Sequence, residues 1–311
     1  MIAVGLGFAL SLRAQTTTNP PTAMLPPVQV QGSNLSIHDV ASESDRVGPA
    51  DQPEWTTRRA FAETDVYVIP SGTFEYNQYY IYSHPKHDEA SHLFESEFEV
   101  GLPWRTQFDV ELNYSVTGGK ATYDSTLIEL PHALADWGRI PLNPTIVPGW
   151  RFNTSEPDAY FFRLLLAEEL GRRVHFGANL TFQRQVSGAL ETSYELNTAV
   201  SYVVKNARLT VGAELVVEHE IGRDFVTDEE GEIETEIERT TSVLLGPSVL
   251  FKPSRATHLG LVGLFGLTSD APSAEIYVIF GIDLEPFFRP GAADRDSGIN
   301  PDELRPVRRG R

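Results

Sequence analysis

The chain has 311 residues, which is enough for one large β domain or two ordinary domains. Its 43 acidic and 25 basic side chains give a formal net charge of −18, and the scattered basic residues form no patch of the kind that a nucleic-acid partner requires. The absence of cysteine excludes a disulfide framework and a thiolate metal site.

The first residues, from Met1 to Leu12, form an apolar run that ends at Arg13-Ala14-Gln15. This run is too short to span a bilayer but has the length of a signal-peptide core, so we predict a signal peptide over 1–14 and export. The positively charged start that is usual in signal peptides is missing. No later segment reaches the ~18 to 20 apolar residues of a membrane helix, which leaves strands as the way to cross a membrane.

Residues 15–72 are rich in Pro, Thr, Ser and Asp and show little periodicity, which predicts a flexible segment in the periplasm. Within it, Leu25-Pro-Pro-Val-Gln-Val-Gln-Gly32 weakly resembles the energy-coupling box of TonB-dependent receptors, but the segment is too short for the plug domain of those receptors. The stretches from Trp55 to Phe61 and from Asp65 to Pro70 are candidates for packing against the periplasmic mouth of a barrel.

Apolar and polar residues alternate along most of the chain from Phe74 to Leu284. In the stretch 105–116, Phe108 and Val110 point to one side, whereas Asp109 and Glu111 point to the other. An apolar outer face and a charged inner face are what a bacterial outer-membrane barrel needs. We therefore predict an all-β fold, an antiparallel up-and-down transmembrane β-barrel of about 12 strands over 73–284. The predicted strands are approximately 73–83, 91–101, 105–116, 125–136, 143–152, 159–170, 174–186, 189–204, 208–220, 237–251, 257–267 and 273–284.

The connections between these strands alternate between short turns and longer loops, as in such barrels, whose turns lie in the periplasm and whose loops lie outside. The predicted turns all contain or adjoin a basic residue and span 101–104, 136–142, 171–173, 205–208 and 252–256. The predicted outer connections are 83–90, 117–124, 153–158, 187–188, 221–236 and 268–272. The longest, 221–236, falls outside as expected, while 187–188 is a tight hairpin.

If the apolar side of each strand faces lipid, a set of acidic residues faces the lumen. Two arginines on the same side are the bases best placed to neutralise part of that charge. An acid left on the lipid face would cost on the order of 1 kcal/mol or more at mid-depth. The predicted lumen-lining residues are Glu75, Glu95, Glu97, Glu99, Asp109, Glu111, Glu129, Arg151, Arg163, Glu169, Glu191, Glu195, Glu214 and Glu218. The predicted membrane-interface aromatics are Trp104 and Trp137 in turns, with Tyr76, Tyr80 and Tyr82 contributing to the outer belt.

The acidic lumen favours a porin-like channel for small cationic or neutral solutes, because a wall of one charge sign repels solutes of the same sign. One alternative is a closed structural or binding barrel, in which the acids pair with Arg151, Arg163, His and Tyr across a narrow lumen. A barrel-embedded hydrolase is a further alternative. The histidines are spread over different strands and ends, and no complete catalytic motif is present. We predict no enzymatic activity, no cofactor and no metal site.

A soluble, exported β-sandwich or lipocalin-like barrel is the main alternative fold. It would bury the apolar side of each strand and expose the acidic side. The number and length of the strands and the alternation of turn types argue against it.

Three stretches carry a resemblance to a known group of proteins: 133–144, 163–170 and 176–180. Here the chain resembles a loosely defined group of bacterial outer-membrane barrels, labelled porin-like or linked to phenol-degradation (meta-pathway) clusters. The resemblance implies an up-and-down barrel of about twelve strands, for which transport is presumed. Barrels of this kind commonly finish at an aromatic residue, whereas here Phe287-Phe288 and a polar tail follow the last strand.

The expected location is the outer membrane of a Gram-negative bacterium, with both terminal segments in the periplasm. We predict a disordered polar C-terminal tail over 285–311. The expected partners are outer-membrane lipid, a small-molecule solute and the barrel-assembly machinery. The sequence leaves the oligomeric state open.

Overall fold

The computed structural model describes residues 42–58, 61–206, 208–227, 233–254 and 256–284. Three predicted parts of the chain lie outside these ranges: the signal peptide 1–14, residues 15–41 of the predicted flexible segment, and the tail 285–311. Twelve long strands form the main sheet, and we number them in chain order: β1 (Phe74–His84), β2 (Ser91–Leu102), β3 (Thr106–Thr117), β4 (Lys120–Glu129), β5 (Thr145–Asn153), β6 (Ala159–Glu169), β7 (Val174–Gln185), β8 (Thr192–Lys205), β9 (Leu209–Thr227), β10 (Ile233–Phe251), β11 (Thr257–Gly266) and β12 (Ala274–Leu284).

Each long strand pairs in antiparallel orientation with its neighbours in sequence, and β12 pairs with β1 to close the sheet. Closure leaves the barrel wall without an edge strand, which is what a sheet in a bilayer requires. The predicted fold class, an all-β up-and-down barrel of twelve strands, is confirmed. The short connections 103–105, 170–173, 206–208 and 252–256 lie at one end of the barrel, called the turn end below, and the opposite end is called the loop end.

The two faces of the barrel wall differ as the alternation predicts. On β3, the side chain of Phe108 is 38% exposed and points outward, whereas Asp109 is 4% exposed and points inward. Outward-facing apolar residues continue around the barrel, for example Phe162 on β6 and Leu261 on β11. A lipocalin-like barrel would hide this apolar face, so the soluble alternative is incompatible with the structure.

Several predicted boundaries require correction. β4 covers 120–129 instead of 125–136, because Gly118 and Gly119 adopt positive φ angles (+58° and +78°) and form a tight turn where a loop was predicted. The connection 130–144 at the turn end is consequently longer than predicted, and its short strand His132–Ala133 pairs with both β3 and β5. β9 and β10 extend by strand pairing through much of the predicted loop 221–236. Residues 186–191 form a loop in place of the predicted tight hairpin.

The segment that precedes the barrel is packed inside it. Residues 42–58 and 61–72, called the plug segment below, contain the short strand pair Arg46–Val47 and Gln52–Pro53 and a 3-10 turn, Glu54–Thr57. Its side chains Trp55, Phe61 and Val68 are almost fully buried. The prediction of a flexible segment over 15–72 is therefore corrected for 42–58 and 61–72. Within the described part of the chain, no helix is long and apolar enough to cross a membrane.

Candidate functional site

Every residue of the predicted lumen-lining set on a strand occupies the inward-facing side of the wall in the strand registers. Their surroundings differ. Glu75, Glu97, Glu99, Asp109, Glu129 and Glu214 are buried, and Glu95, Glu111, Arg151, Arg163, Glu169, Glu195 and Glu218 are partly buried. Glu191 lies just before β8 at the loop end and is exposed.

Five acids form a continuous row across five adjacent strands. The strand registers place them directly opposite one another in the order Asp283, Glu75, Glu99, Asp109, Glu129, and we call this row the acid belt. Like charges directly opposite each other destabilise a sheet unless cations compensate them. The acid belt therefore needs either positive charge close to it, from the protein or from a solute, or protonation of some of its carboxyl groups.

The plug segment supplies part of that charge. Arg58 forms ion pairs with Asp283 of the acid belt and with Glu54 of its own segment, at 3.1 Å for the latter. On the wall, Arg163 lies between Asp65 of the plug segment, at 2.6 Å, and Glu129 of the belt, at 3.5 Å. The guanidinium of Arg163 thus links the plug segment to the wall.

Two further ion pairs join the plug segment to the turn end. Lys252, in the turn after β10, donates to both carboxylate oxygens of Glu43 at 3.0 Å, and these side chains are 3% and 2% exposed. Arg46 pairs with Glu169 at 2.9 Å. Removing one partner from a buried pair such as Lys252 and Glu43 typically destabilises by about 3–5 kcal/mol, so these contacts hold the segment firmly.

Side chains of the wall also bind the backbone of the plug segment. The carboxylate of Glu214 accepts hydrogen bonds from the amides of Ala62, at 2.8 Å, and Glu63, at 3.1 Å. The amide of Asn197 donates to the carbonyl of Glu63 at 2.9 Å, and Gln107 accepts from the amide of Ile69 at 2.6 Å. These bonds satisfy backbone groups that would otherwise be buried without partners.

The side chain of Glu63 enters an acidic part of the interior. Burial, followed by the nearby carboxylates of Glu195, Glu275 and Glu214, raises its pKa from 4.5 to about 8, although a hydrogen bond with Tyr277 works in the opposite direction. The seated plug segment therefore holds Glu63 in its protonated form at neutral pH.

Small residues of the wall make room for the plug segment. Ala167, Gly177 and Ala199 stand side by side on β6, β7 and β8. A Cβ atom at Gly177 would lie 2.9 Å from Cγ2 of Thr64 and 3.4 Å from the ring of Phe61. A side chain at position 177 would therefore press on Thr64, so the plug segment fits closely against this part of the wall.

The predicted membrane-interface aromatics need partial correction. Trp137 is 8% exposed and packs edge-on against Trp55, at 5.9 Å between ring centroids, and against Tyr67. It anchors the plug segment and does not face lipid. Trp104 is 84% exposed in the turn after β2. Tyr76, Tyr80 and Tyr82 all lie on the outer face of β1, but about 20 Å separates the first from the last, so they do not share one membrane boundary.

The interior is not acidic throughout. On β1, β11 and β12 the inward-facing side chains include Tyr79, Leu264 and Ile279, which form a buried apolar cluster with Ala62 of the plug segment. Sequence alternation did not indicate this cluster, because apolar residues on these strands occupy both faces.

A cavity of about 230 Å³ opens at the loop end, away from the plug segment. We call it the vestibule. Its walls include the charged residues Arg151, Glu156, Glu191, Glu220 and Glu238 together with amide and hydroxyl groups. Two cavities beside the plug segment are much smaller, at about 20 Å³ each. Such a volume holds about one water molecule, so neither of these two cavities has space for a solute.

One group of side chains has the composition of a metal site. Ligand atoms of Glu75, His258 and Asp283 all lie within 4.8 Å of one another, and the three residues are buried or partly buried. Arg58 already forms an ion pair with Asp283. A metal ion here would compete with the cation that the plug segment supplies.

Comparisons with known proteins address the fold. No protein-family model matches the sequence, and no curated protein matches it. Among solved structures, an outer membrane channel from Pseudomonas putida F1 superposes with a TM-score of 0.54 at 11% identity, covering 72% of this chain and 100% of that chain. The chain has the fold of this outer-membrane channel. The resemblance to porin-like barrels expected from the sequence is confirmed at the level of fold.

Two porins are less similar. The NanC porin matches with a TM-score of 0.44 at 8% identity, over 67% of this chain and 98% of that chain. The KdgM porin matches with a TM-score of 0.41 at 10% identity, over 68% of this chain and 97% of that chain.

Sequence reasoning missed several residues that shape the interior. Asp283 completes the acid belt but lies near the end of the last strand, where a single acid carries no periodic signal. The turn pattern of 252–256 predicts an exposed turn residue at Lys252, whereas this side chain is buried against Glu43. The inward Gly177 and Ala199 were a further sign of the plug segment, since small side chains on the inner face of adjacent strands leave space to be filled.

Proposed function

We propose that this protein is a channel of the Gram-negative outer membrane for small cationic or neutral solutes, and that the plug segment closes it. The turn end and the plug segment then face the periplasm, and the vestibule faces the outside. The apolar outer face and the channel-like fold support the membrane location. The acid belt is the single observation that carries the solute preference, because its five adjacent carboxylates attract cations and repel anions when the plug segment moves away with Arg58.

The closed state described above favours a second candidate, a barrel that stays shut and has a structural or binding role. The buried pair of Lys252 and Glu43 and the bonds to Glu214 are consistent with it. The two candidates differ in whether the plug segment ever leaves its seat. The function proposed first is transport and involves no catalysis.

Reconstitution in planar bilayers tests the proposal. The full-length protein is expected to show discrete openings, with a reversal potential in a KCl gradient that favours potassium over chloride. Glu218→Gln removes an inward-facing charge outside the contacts of the plug segment and should lower the cation preference. Glu89→Gln makes the same change in an exposed outer loop and serves as the matched control.

An anion-favouring reversal potential would contradict the solute class. A correctly folded barrel that stays silent at every voltage would support the closed barrel instead. Heat-modifiable migration in electrophoresis verifies that each variant is folded before its current is measured.

A further inference from the structure

The vestibule carries charges of both signs in one small space. Arg151, from β5, lines the same cavity as four glutamates from other parts of the loop end. Its volume of about 230 Å³ is below the ~300–1,000 Å³ of sites for drug-sized ligands, so a ligand that fills it must be small.

Arg151 has no hydrogen bond or ion pair within the part of the chain that the structure describes, and its Nε atom is shielded from solvent without an acceptor. Glu111 and Glu218 lie near enough to interact with it electrostatically, but neither bonds to it. A buried donor without an acceptor is unfavourable, and a guanidinium binds a carboxylate through two parallel hydrogen bonds. The guanidinium of Arg151 is therefore suited to the carboxylate of a solute.

The other side of the vestibule is suited to a cation. Glu220 accepts a hydrogen bond from Thr240 at 3.3 Å, and Glu191 accepts one from Gln185 at 2.8 Å. The carboxylate of Glu220 is exposed and can accept several hydrogen bonds, so it is suited to an ammonium group. Glu156 and Glu238 add negative charge to the same walls and are exposed.

We propose that the vestibule binds small zwitterions, solutes that carry one carboxylate and one ammonium group, as a free amino acid does. A purely anionic solute would be repelled by the four glutamates, and a purely cationic solute would leave Arg151 without a hydrogen-bond acceptor. This inference rests on the proposed function and narrows its solute class, since a zwitterion is neutral overall.

Isothermal titration calorimetry on the full-length protein in detergent tests the site with three probes of similar size. L-Glutamine is the zwitterion, L-glutamine α-amide lacks the carboxylate, and N-acetyl-L-glutamine lacks the ammonium. L-Glutamine is expected to bind about tenfold or more tightly than either analogue, as the loss of one charge-assisted hydrogen bond predicts.

Substitutions identify the groups responsible. Arg151→Gln should weaken L-glutamine binding by about tenfold or more and leave the weak binding of the α-amide unchanged or improved. Arg239→Gln makes the same change at an exposed position of β10 and should leave all three affinities as they are. Heat-modifiable migration confirms that both variants are folded.

Equal binding of the three probes, no binding of L-glutamine, or an unchanged affinity in folded Arg151→Gln protein would overturn the proposal. The test is independent of current. A barrel that conducts but does not bind L-glutamine keeps the channel function and loses the zwitterion site, whereas a barrel that binds L-glutamine but never conducts keeps the site and loses the channel function.

Discussion

At the scale of single residues, the interior is governed by how each charge is compensated. Arg58 and Arg163 bring positive charge to the acid belt, and both lie at the contact between the plug segment and the wall. Glu63 brings a further carboxyl group into an acidic region and is accommodated there in its neutral form. The stability of the plug segment in its position inside the barrel, which we call its seat, therefore depends on the protonation of this one side chain.

The pH dependence of this stability has a definite direction. Glu63 binds its proton more tightly in the seated state, with a pKa of about 8, than in a released segment, where the ordinary value of 4.5 applies. The contribution of Glu63 to binding of the plug segment is thus fully present below pH 4.5, is lost progressively as the pH rises from 4.5 to about 8, and is absent above that. The groups that face Glu63 are Glu195, Glu214 and Glu275, whose carboxylates oppose its ionisation, and Tyr277, whose hydrogen bond favours it but is outweighed by burial and the three carboxylates.

A reporter cysteine measures this effect. Thr64→Cys places a thiol next to Glu63 at a site that is 1% exposed, in a chain without other cysteines. Its labelling by a water-soluble maleimide should accelerate from pH 5 to 8, by as much as about tenfold per pH unit, beyond the intrinsic reactivity of the thiol. The same reporter in a Glu63→Gln background supplies that intrinsic rate and should show no additional rise. Matching pH profiles in the two backgrounds would show that Glu63 does not control the seat.

At the scale of elements, the plug segment fits the wall strands by shape as well as by charge. Trp55 stacks on His175 of β7 at 4.3 Å between ring centroids, and Phe61 and Val66 lie over Gly177. This side of the wall is made of small residues, whereas the wall next to Ala62 is apolar and bulky. The segment therefore has one well-defined seat, and conduction requires that it leave or rearrange.

A reversible crosslink tests whether this movement opens the channel. The Cβ position of residue 177 lies 2.9 Å from Cγ2 of Thr64, which is compatible with the ~3.5–4.5 Å between the Cβ atoms of a disulfide. In the double variant Thr64→Cys/Gly177→Cys, oxidation should abolish the current in planar bilayers, and reduction with dithiothreitol should restore it.

The single variants Thr64→Cys and Gly177→Cys are the controls, and their currents should be indifferent to the redox state. If the oxidised double variant conducts like the reduced one, the plug segment is not the gate.

At the scale of the whole molecule, the closed sheet turns an apolar face outward and a polar, packed interior inward. Phe94, Leu180 and Val278 illustrate the outer face on three distant strands. Single exposed apolar residues are ordinary in soluble proteins, but a continuous apolar band around a barrel needs a lipid environment.

Extraction from membranes tests this property. High salt or alkaline carbonate should leave the protein in the membrane pellet, because these treatments remove proteins held by charge and do not solvate the apolar band. Detergent should release it, with heat-modifiable migration as the sign of an intact barrel. Release by carbonate alone would show that the outer face is covered by something other than lipid.

The sequence by itself determined the class of the fold and the two faces of its wall. A strand repeats every two residues, so the alternation in 105–116 already assigns Phe108 and Asp109 to opposite sides. The boundaries of the strands were less predictable. The turn at Gly118-Gly119 depends on positive φ angles, and the short strand His132–Ala133 depends on pairing with two separate strands.

Only the tertiary structure decided what fills the barrel. The contacts of Lys252 with Glu43 and of Arg163 with Asp65 join residues far apart in the chain, and they exist because closure of the sheet brings those positions around one lumen. No local period records such pairs, and the plug segment has no regular repeat of its own. The alternation thus specifies the wall. The position of the plug segment and the place of Arg151 in the vestibule instead depend on which strands face one another across the closed barrel.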